Sequence, residues 1–361
     1  MIEGKGKKQK IIDCIKKEYL RKYKIIVGII YSYKQYKKFH NYKCEHDKKF
    51  EKKIRSYWKK YKRRVSINEI NFYINNSSIK SEKFITKKIY HKEIELKLNN
   101  VDSAEIISNK NYLGLFLKNA NVPVSIIRKI NGTLMDSNYN IITNKQSLEI
   151  IRNYADELIY KPAINSCGGK GIIFLNKDFK DCEITDIVNS KSDFVIQKVI
   201  EQNMLFSNFN ESSVNTVRVL SLLFKNDVHI LYMILRVGKK GMRVDNSSSG
   251  GYQVVIKNSG NFSDYIVDVD NNRIEDPNII KRFKGKKMPF YDKICLEVKN
   301  LHPYLAECKL VGWDITIDKF GNPIIIEINL DDIGMTDKSQ CVNGPLFGKM
   351  TDEVLKYVFN K

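Results

Sequence analysis

GWDITIDKFGNPIIIEINL, residues 312–330, is the most informative stretch of the chain. Two runs rich in β-branched residues, Ile315–Ile317 and Ile324–Ile328, flank a turn that contains Gly321 and Asn322. Apolar runs on either side of a Gly/Asn turn predict a β-hairpin.

This hairpin is expected to bring acidic residues together. A turn symmetric about Phe320–Gly321 places Asp314 opposite Glu327. Asn329 lies two residues from Glu327 and therefore shares its face. Adjacent carboxylates repel each other unless a cation lies between them, and Mg²⁺ prefers such oxygen ligands together with substrate phosphates. We predict a magnesium–nucleotide site; the alternative, a solvated hairpin, does not explain why Ile324–Ile326 is so apolar.

The composition excludes several classes of protein. A chain of 361 residues can form two or more lobes with a hydrophobic core. No run approaches the ~20 apolar residues of a membrane helix, and the basic N-terminus lacks the apolar stretch of a secretory signal. The seven cysteines include no CxxC pair, which argues against a zinc site or a disulfide framework. We expect a cytoplasmic protein, with peripheral attachment to the inner face of the membrane as an option.

Positive charge is concentrated near the N-terminus. Residues 1–64 carry 23 lysine and arginine residues against six acidic ones, a net charge of +17 out of the +21 of the whole chain. Aromatic residues such as Tyr57, Trp58 and Tyr61 are interleaved with this charge. Three interpretations compete: a lysine-rich composition, a helix on an anionic membrane, and nucleic-acid binding. We favour composition with weak membrane attraction and expect no specific nucleic acid, because no nucleic-acid-binding module follows.

The periodicity of the remaining sequence predicts alternating helices and strands. An amphipathic helix is expected over Asn109–Ala120, before the break at Pro123. Further along, Val217–Phe224 and Val228–Val237 are expected to form an antiparallel pair. We therefore predict an α+β chain whose antiparallel strands carry the site.

A second phosphate-binding signal lies between two apolar runs. The sequence continues from Lys161–Pro162 through SCGGKG, residues 166–171, into another strand. Glycine allows backbone N–H groups to approach a phosphate closely. A Walker loop requires a helix after the motif, so we predict a glycine-rich hairpin that folds over phosphates. The alternative is an ordinary glycine turn with a surface lysine.

Weaker signals lie on later segments. The buried run FVIQKVI, residues 194–200, becomes polar at its centre, as a strand that offers hydrogen bonds to an adenine edge would. Arg218 and Arg236 lie on strands expected to pair, where two guanidinium groups can hold a polyanion. The loop DNSSSGG, residues 245–251, has the composition of a second anion-binding turn. Serine hydrolase and zincin motifs are absent from the sequence.

Taken in chain order, these motifs resemble the ATP-grasp superfamily. Asp314, twelve intervening residues and then Glu327-x-Asn329 resemble its metal motif, which D-alanine–D-alanine ligases share. The segments NTVR, DN…GG and GWD…GNPIIIEIN are most similar to the sugar-transfer-associated ATP-grasp family, which is found with polysaccharide biosynthesis genes. The resemblance covers about Val65–Lys361.

The resemblance implies a fold and a domain organisation. The fold class would be α+β, an ATP-grasp fold in which two α+β subdomains grip ATP. A basic, mainly helical extension would span residues 1–64, and a pre-ATP-grasp-like segment residues 65–108. The ATP-grasp domain would span residues 109–361, with subdomains at about 109–196 and 197–361.

The resemblance also implies roles for individual residues. Lys110 and Lys161 would contact nucleotide phosphates, and Arg218 and Arg236 would stabilise charge on the γ-phosphoryl group and an acyl phosphate. The phosphates would be covered by Ser166, Gly168, Gly169 and Gly171, and adenine would be lined by Gln197, Lys198 and Val199. A second anion-binding turn would be formed by Asn246, Gly250 and Gly251. One or two Mg²⁺ or Mn²⁺ ions would be held by Asp314, Glu327 and Asn329.

Two positions depart from the pattern of the family. Many relatives carry an arginine two residues before the metal aspartate, where this chain has Gly312. Many also place an acidic residue on the ribose, for which Glu201 is the nearest candidate. The first departure leaves open which residue stabilises the oxyanion, and the second leaves open the ribose contact.

The implied activity is that of an ATP- and Mg²⁺-dependent carboxylate–amine ligase. A carboxylate would attack the γ-phosphoryl group to give an acyl phosphate, and an amine would then displace phosphate to leave an amide. The context of the family suggests an amino acid joined to a small or lipid-linked sugar, either a uronic acid or an amino sugar. The alternatives are a non-catalytic ATP-binding scaffold or sensor at the membrane and an ATP-grasp carbohydrate phosphotransferase.

Overall fold

The computed structural model describes residue 39 and residues 42–154, 156–164, 169–245, 250–268, 273–331, 333–334 and 336–360. These residues group into two compact units. One combines the described residues up to Leu98 with those from Thr336 onward, and the other lies between Asn99 and Met335. Within the described ranges, no helix has both the length and the apolar character that crossing a membrane requires.

The first unit is helical. In its described part, the α-helices span Lys48–Lys59, Ile67–Ser77, Lys87–Ile89, Glu95–Leu98, Thr336–Asn343 and Thr351–Val358, with a π-helical segment at Tyr90–Ile94 and a 3₁₀ turn at Gly348–Met350. Asp47 caps the first of these helices by accepting a hydrogen bond from the backbone N–H of Phe50. Tyr57 and Trp58 are buried inside the unit, and the Tyr57 hydroxyl donates to Asp352 at 2.7 Å. Tyr57 and Trp58 therefore belong to the core, Phe50 is partly buried, and lysine and arginine residues lie on the outer face of the helix.

The second unit contains two antiparallel sheets. The strands of the five-stranded sheet are β1 (Ser125–Ile130), β2 (Thr133–Asp136), β3 (Leu158–Pro162), β4 (Ile173–Leu175) and β5 (Phe194–Lys198), in the spatial order β2-β1-β5-β3-β4. Helices Asn144–Asn153 and Asp181–Val188 pack on one face, where Ile151 and Ile184 join the apolar side chains of the strands in one core. The opposite face carries Lys161.

The seven-stranded sheet forms the larger part of the second unit. Its strands are β6 (Thr216–Phe224), β7 (Asp227–Val237), β8 (Tyr252–Ile256), β9 (Phe262–Val267), β10 (Arg273–Ile274), β11 (Leu310–Ile317) and β12 (Pro323–Asn329), in the order β10-β9-β8-β7-β6-β11-β12. Helix Tyr291–Leu301 packs on one face through Ile294 and Val298, and Trp313 of β11 belongs to the same core. Among the described residues, the other helices of the unit are Val101–Ile107, Leu113–Phe116, Met204–Ser207, Pro277–Ile280 and the 3₁₀ helix His302–Leu305.

The expected helix over Asn109–Ala120 is wrong, since only Leu113–Phe116 is α-helical. The preceding residues use their hydrogen bonds elsewhere. The backbone N–H of Lys110 donates to the carbonyl of Ala163 at 3.0 Å, and the Asn111 side chain donates to the carbonyl of Lys129 at 3.0 Å. These contacts tie the segment to β3 and β1, and tertiary bonding outweighs the helical periodicity.

The hairpin of β11 and β12 has the expected pairing but not the expected symmetry. Asp314 lies opposite Glu327, as the sequence predicts. Nearer the turn, Ile315 pairs with Ile325, which is one residue away from the register of a symmetric turn. An irregularity beside Asp314 leaves Ile326 as the extra residue, a β-bulge that restores the acidic pair.

Candidate functional site

Charged residues of four strands meet on one face of the seven-stranded sheet. Asp314 lies between Glu327 on β12 and Arg218 on β6, directly opposite both. In the neighbouring pair of strands, Thr216 of β6 lies opposite Arg236 of β7. Thr216 and Arg218 are two residues apart on β6 and so share this face.

The two arginines contact the same carboxylate in different ways. Arg218 donates through Nε to Asp314 Oδ1 and through Nη2 to Oδ2 at 2.7 Å, and its Nη1 donates to the carbonyl of Ile333 at 3.4 Å. Arg236 donates to Asp314 Oδ2 through Nη2 alone, at 2.9 Å. All three nitrogens of Arg218 are thus engaged, which makes it an anchor for Asp314. Arg236 reaches Asp314 end-on.

Electrostatics in this network follow from burial and pairing. Burial would raise the pKa of Asp314, but Arg218 and Arg236 outweigh burial and hold the pKa below its ordinary value. Burial would lower the pKa of Arg236, but Asp314 and Asp245 outweigh it and raise the pKa further. The network is therefore charged at neutral pH.

Asp245 and Thr216 complete the network, although neither is among the site residues that the sequence predicts. The Thr216 hydroxyl donates to Asp245 Oδ2 and accepts a hydrogen bond of 2.9 Å from Arg236 Nε. Burial raises the pKa of Asp245, and Arg236 opposes that rise. The available signal was spacing: Thr216 is two residues before Arg218 on a strand, and Asp245 begins the DNSSSGG loop.

The structure explains the glycine at position 312. A Cβ atom there would lie 2.7 Å from Cγ2 of Ile333, closer than side chains tolerate. An arginine at this position therefore has no room. Arg218 instead reaches the Asp314 carboxylate from the neighbouring strand.

Two lysines from outside the seven-stranded sheet, Lys110 and Lys161, lie near Glu327 on this face. Lys110 Nζ lies 3.2 Å from Glu327 Oε1, and the Lys110 side chain is almost fully buried. Lys161 of β3 is also buried, and burial together with the charge of Lys110 lowers its pKa to about 8, against the opposing effect of Glu327. The lysines predicted for phosphate binding thus lie within electrostatic range of a predicted metal ligand.

Strands β3 and β4 form the expected glycine-rich hairpin. Gly169 and Gly171 have φ angles of +76° and +74°, which glycine adopts without strain. A Cβ atom at Gly171 would lie 3.0 Å from the ring of Pro162. Ser166, Gly168 and Asn246 are predicted site residues that lie outside the described residues. Of the second turn, Gly250 and Gly251 are described, and Gly250 has a φ angle of +87°.

The residues predicted for the adenine pocket lie at the end of β5. Gln197 is buried and donates through Nε2 to the Ser125 hydroxyl at 3.2 Å, and its Oε1 has no hydrogen-bond partner among the described residues. Lys198 pairs with Asp156 at 2.8 Å, and the backbone N–H of Val199 donates to the carbonyl of Glu157. The ribose candidate, Glu201, forms an exposed ion pair of 2.9 Å with Lys319.

The donor set at the hairpin fits a hard divalent cation. Asp314 and Glu327 supply carboxylates, and Asn329, opposite Gly312, donates through Nδ2 to the Gly312 carbonyl, which leaves its amide oxygen available as an acceptor. No three His, Cys, Asp or Glu side chains form a metal-binding group within the described ranges. Mg²⁺ in proteins commonly combines one or two carboxylates with water and phosphate ligands.

The comparison with models of protein families matches residues 90–354 to the sugar-transfer associated ATP-grasp family. The chain belongs to this family. The resemblance stated from the sequence is thereby confirmed, and so is the α+β ATP-grasp fold class. No curated protein matches the chain.

Solved structures similar to this chain include two ligases and a synthetase. An L-amino acid ligase from Bacillus licheniformis is 16% identical over 71% of this chain and 48% of its own, with a TM-score of 0.42. The ATP-grasp ligase PsnB is 14% identical over 72% and 63% of the two chains, with a TM-score of 0.42. An ADP complex of N5-carboxyaminoimidazole ribonucleotide synthetase is 12% identical over 70% and 52%, also with a TM-score of 0.42. The chain thus spans about half to three fifths of these proteins.

Proposed function

We propose that the chain is an ATP- and Mg²⁺-dependent carboxylate–amine ligase that releases ADP. The observation that carries this proposal is the cross-strand pair Asp314–Glu327 surrounded by cations. Lys110 contacts Glu327 at 3.2 Å, and Arg218 and Arg236 contact Asp314 at 2.7 and 2.9 Å. A polyphosphate with a divalent cation complements both signs of this charge, since cations bind phosphate oxygens and carboxylates bind the metal.

The proposed reaction has two steps. A substrate carboxylate oxygen attacks the γ-phosphorus of ATP, the bond from that phosphorus to the β-phosphate oxygen breaks, and ADP leaves. An amine then attacks the acyl carbon of the resulting acyl phosphate, the carbon–oxygen bond to phosphate breaks, and the nitrogen loses a proton. Neither step needs a protein nucleophile.

The residues of the site would act by positioning and by neutralising charge. Lys110 and Lys161 would bind nucleotide phosphates, and Arg236 would stabilise the transferring phosphoryl group. Arg218, whose nitrogens are engaged with Asp314 and Ile333, would orient Asp314. The ions, Mg²⁺ or Mn²⁺, would be held by the three hairpin ligands and would neutralise additional phosphate charge.

We further propose that one substrate is a sugar and the other an amino acid. The family is described as sugar-transfer associated, and a uronic acid offers a carboxylate while an amino sugar offers an amine. Either can be joined to an amino acid through an amide. Such a product suits surface polysaccharide or capsule biosynthesis on the cytoplasmic side of the membrane, with a small or lipid-linked sugar as substrate.

The test is release of ADP and phosphate from Mg·ATP in the presence of mixed amino acids with uronic acids or amino sugars. The Asp314→Asn and Glu327→Gln variants serve as inactive controls. We expect ADP release that requires both an amine and a carboxylate and is absent in both variants. Formation of AMP would instead indicate a phosphotransferase of the dikinase type, and nucleotide binding without turnover across soluble and lipid-linked sugars would indicate the scaffold or sensor.

The outer face of helix Lys48–Lys59 favours an additional contact with an anionic membrane surface. Lys49, Lys52, Arg55 and Lys59 are exposed on it, whereas Tyr57 and Trp58 are buried and Phe50 is partly buried. The attraction would therefore be mainly electrostatic. Replacing these four of the exposed cations of the helix by glutamate should abolish co-sedimentation with phosphatidylserine vesicles at low salt. Unchanged co-sedimentation would contradict this contact.

A further inference from the structure

The Arg236 side chain is held by a directed chain of hydrogen bonds. Arg236 Nε donates to Thr216 Oγ1 at 2.9 Å, and the Thr216 hydroxyl donates to Asp245 Oδ2. A hydroxyl has one proton, so donating it to Asp245 leaves the oxygen lone pairs for Arg236. Asp245 therefore fixes the orientation of the hydroxyl, and the hydroxyl fixes Nε of the guanidinium group.

The backbone around Arg236 is built to bring Asp245 to this position. The loop after β7 folds back onto its own beginning at Gly238, where a Cβ atom would lie 2.7 Å from the carbonyl oxygen of Val244. Only a residue without a side chain permits this approach. As a result Asp245 reaches Thr216, which lies opposite Arg236 in the strand register, and Arg236 Nε lies 3.6 Å from Asp245 Oδ2.

We propose that Thr216 and Asp245 are positioning residues that aim Arg236 at the γ-phosphoryl group. This inference rests on the proposed function, because it takes ATP as the ligand. Arg218 is held by two bonds to Asp314 and one to Ile333. Arg236 meets Asp314 through one nitrogen, so Thr216 and Asp245 supply the second point of attachment that a planar guanidinium needs for a fixed orientation.

The experiment measures the affinity of the purified full chain for Mg·AMPPNP and for Mg·ADP by calorimetry. The ratio of the two dissociation constants reports contacts to the γ-phosphoryl group. We expect Thr216→Val, which keeps the shape and removes the hydroxyl, to reduce the preference for AMPPNP about tenfold while ADP affinity stays within twofold, because hydrogen bonds to charged groups have effects of this size. Asp245→Asn should give a smaller reduction, since an amide oxygen still accepts from the hydroxyl. Thr216→Ser keeps the hydroxyl and should therefore show the wild-type preference for AMPPNP over ADP.

The matched control is Ser221→Ala on the same strand. Ser221 is also buried, and its hydroxyl contacts His302 Nδ1 and accepts from Trp313 Nε1, both at 2.8 Å. Its loss should lower stability without changing the preference for AMPPNP. A double-mutant cycle with Arg236→Gln completes the design: if Thr216 acts through Arg236, Thr216→Val has no further effect on the preference in the Arg236→Gln background.

The outcomes separate the two proposals. If the wild-type chain binds neither nucleotide, the proposed function is contradicted and this inference falls with it. If the wild type binds both nucleotides without preferring AMPPNP, the inference is overturned and the proposed function stands. If the wild type prefers AMPPNP but Thr216→Val keeps that preference, the positioning role is overturned and the proposed function stands. An equal effect of Thr216→Val with and without Arg236 would likewise overturn it.

Discussion

The two sheets of the larger unit treat buried positive charge differently. On the seven-stranded sheet, Arg218 and Arg236 contact the Asp314 carboxylate directly, and the pKa of that aspartate lies below its ordinary value. On the five-stranded sheet, Lys161 is buried with Lys110 as a cationic neighbour, and its pKa falls to about 8. One sheet therefore carries a compensated ionic network, and the other a cation that a ligand can stabilise.

The Asp314 network is neutralised by its own residues, whereas the charge of Lys161 depends on a bound ligand for stabilisation. Removing one member of a compensated buried network leaves the others without their partner, so the network contributes to stability as well as to geometry. A lowered pKa means that burial destabilises the protonated form of the lysine. A bound anion would stabilise that form. Mutation of the Asp314 network is thus expected to lower stability as well as ligand binding, whereas Lys161 is expected to act mainly on nucleotide binding and on its dependence on pH.

The largest effect is expected from Asp314→Ala. This change leaves two buried guanidinium groups without their shared carboxylate and should lower the free energy of unfolding by about 3–5 kcal/mol. Urea denaturation measures the loss. The matched control is Asp227→Ala on the same sheet, whose side chain is 71% exposed and whose loss should cost less than about 0.5 kcal/mol. Equal costs for the two variants would show that the arginines do not depend on Asp314.

The second prediction concerns the pH dependence of nucleotide binding. Bound phosphate favours protonated Lys161, so its pKa of about 8 should rise on binding. Affinity for Mg·AMPPNP should therefore be constant below about pH 8 and fall by up to about tenfold per pH unit above it. Calorimetry should detect proton uptake on binding at pH 8.5. The Lys161→Arg variant stays charged and should bind without this uptake; a wild type with no uptake would contradict the assignment.

The third prediction concerns the unpaired acceptor at the end of β5. Gln197 Oε1 is buried without a partner among the described residues, and an adenine amino group could donate to it. Gln197→Leu should weaken ATP binding about fivefold, the effect of one neutral hydrogen bond, and leave GTP binding unchanged. Competition assays with ATP and GTP measure this discrimination. Ser125→Ala keeps the acceptor and is the control; an equal loss for both nucleotides in Gln197→Leu would contradict adenine recognition.

Local pattern made the acidic pair predictable from the sequence. Strand alternation and a short turn led to the prediction that Asp314 lies opposite Glu327, but the observed pairing also depends on a bulge at Ile326 that the local pattern does not indicate. Spacing in sequence also placed Arg218 and Arg236 on adjacent strands. These features depend on contacts between consecutive strands, which sequence periodicity encodes.

Other features depended on contacts between distant segments. The helix expected at Asn109–Ala120 gave way to hydrogen bonds with Ala163 and Lys129, which no local pattern reveals. The contact of Arg218 with Asp314 joins strands 96 residues apart in sequence. Thr216 and Asp245 are joined by the fold of a loop, so their role follows only from the assembled sheet. The assignments of individual ATP- and metal-binding residues, and the domain boundaries, stay predictions.

A smaller ionic contact joins the five-stranded sheet to the loop that follows β7. Arg243 Nη1 donates to Glu157 Oε1 at 2.7 Å, and its guanidinium carbon lies 3.5 Å from the ring centre of Phe174 on β4. The next residue, Val244, lies 3.4 Å from the position of a Cβ atom on Gly169. Residues 243 and 244 thus contact both the base of the glycine-rich hairpin and Gly169 within it.

The smallest effect is expected from Glu157→Gln, which removes the charge partner of Arg243. Both side chains are partly exposed, so the pair should contribute at most about 1 kcal/mol. We expect hydrogen exchange in peptides covering Gly169–Gly171 to accelerate two- to fivefold, because loss of the contact favours local opening of the hairpin. The control is Glu201→Gln, which breaks the exposed ion pair with Lys319 and should leave these peptides unchanged. Equal acceleration in both variants would mean that the Arg243–Glu157 pair does not specifically restrain the hairpin. The loop after β7 and the glycine-rich hairpin would then open independently of each other.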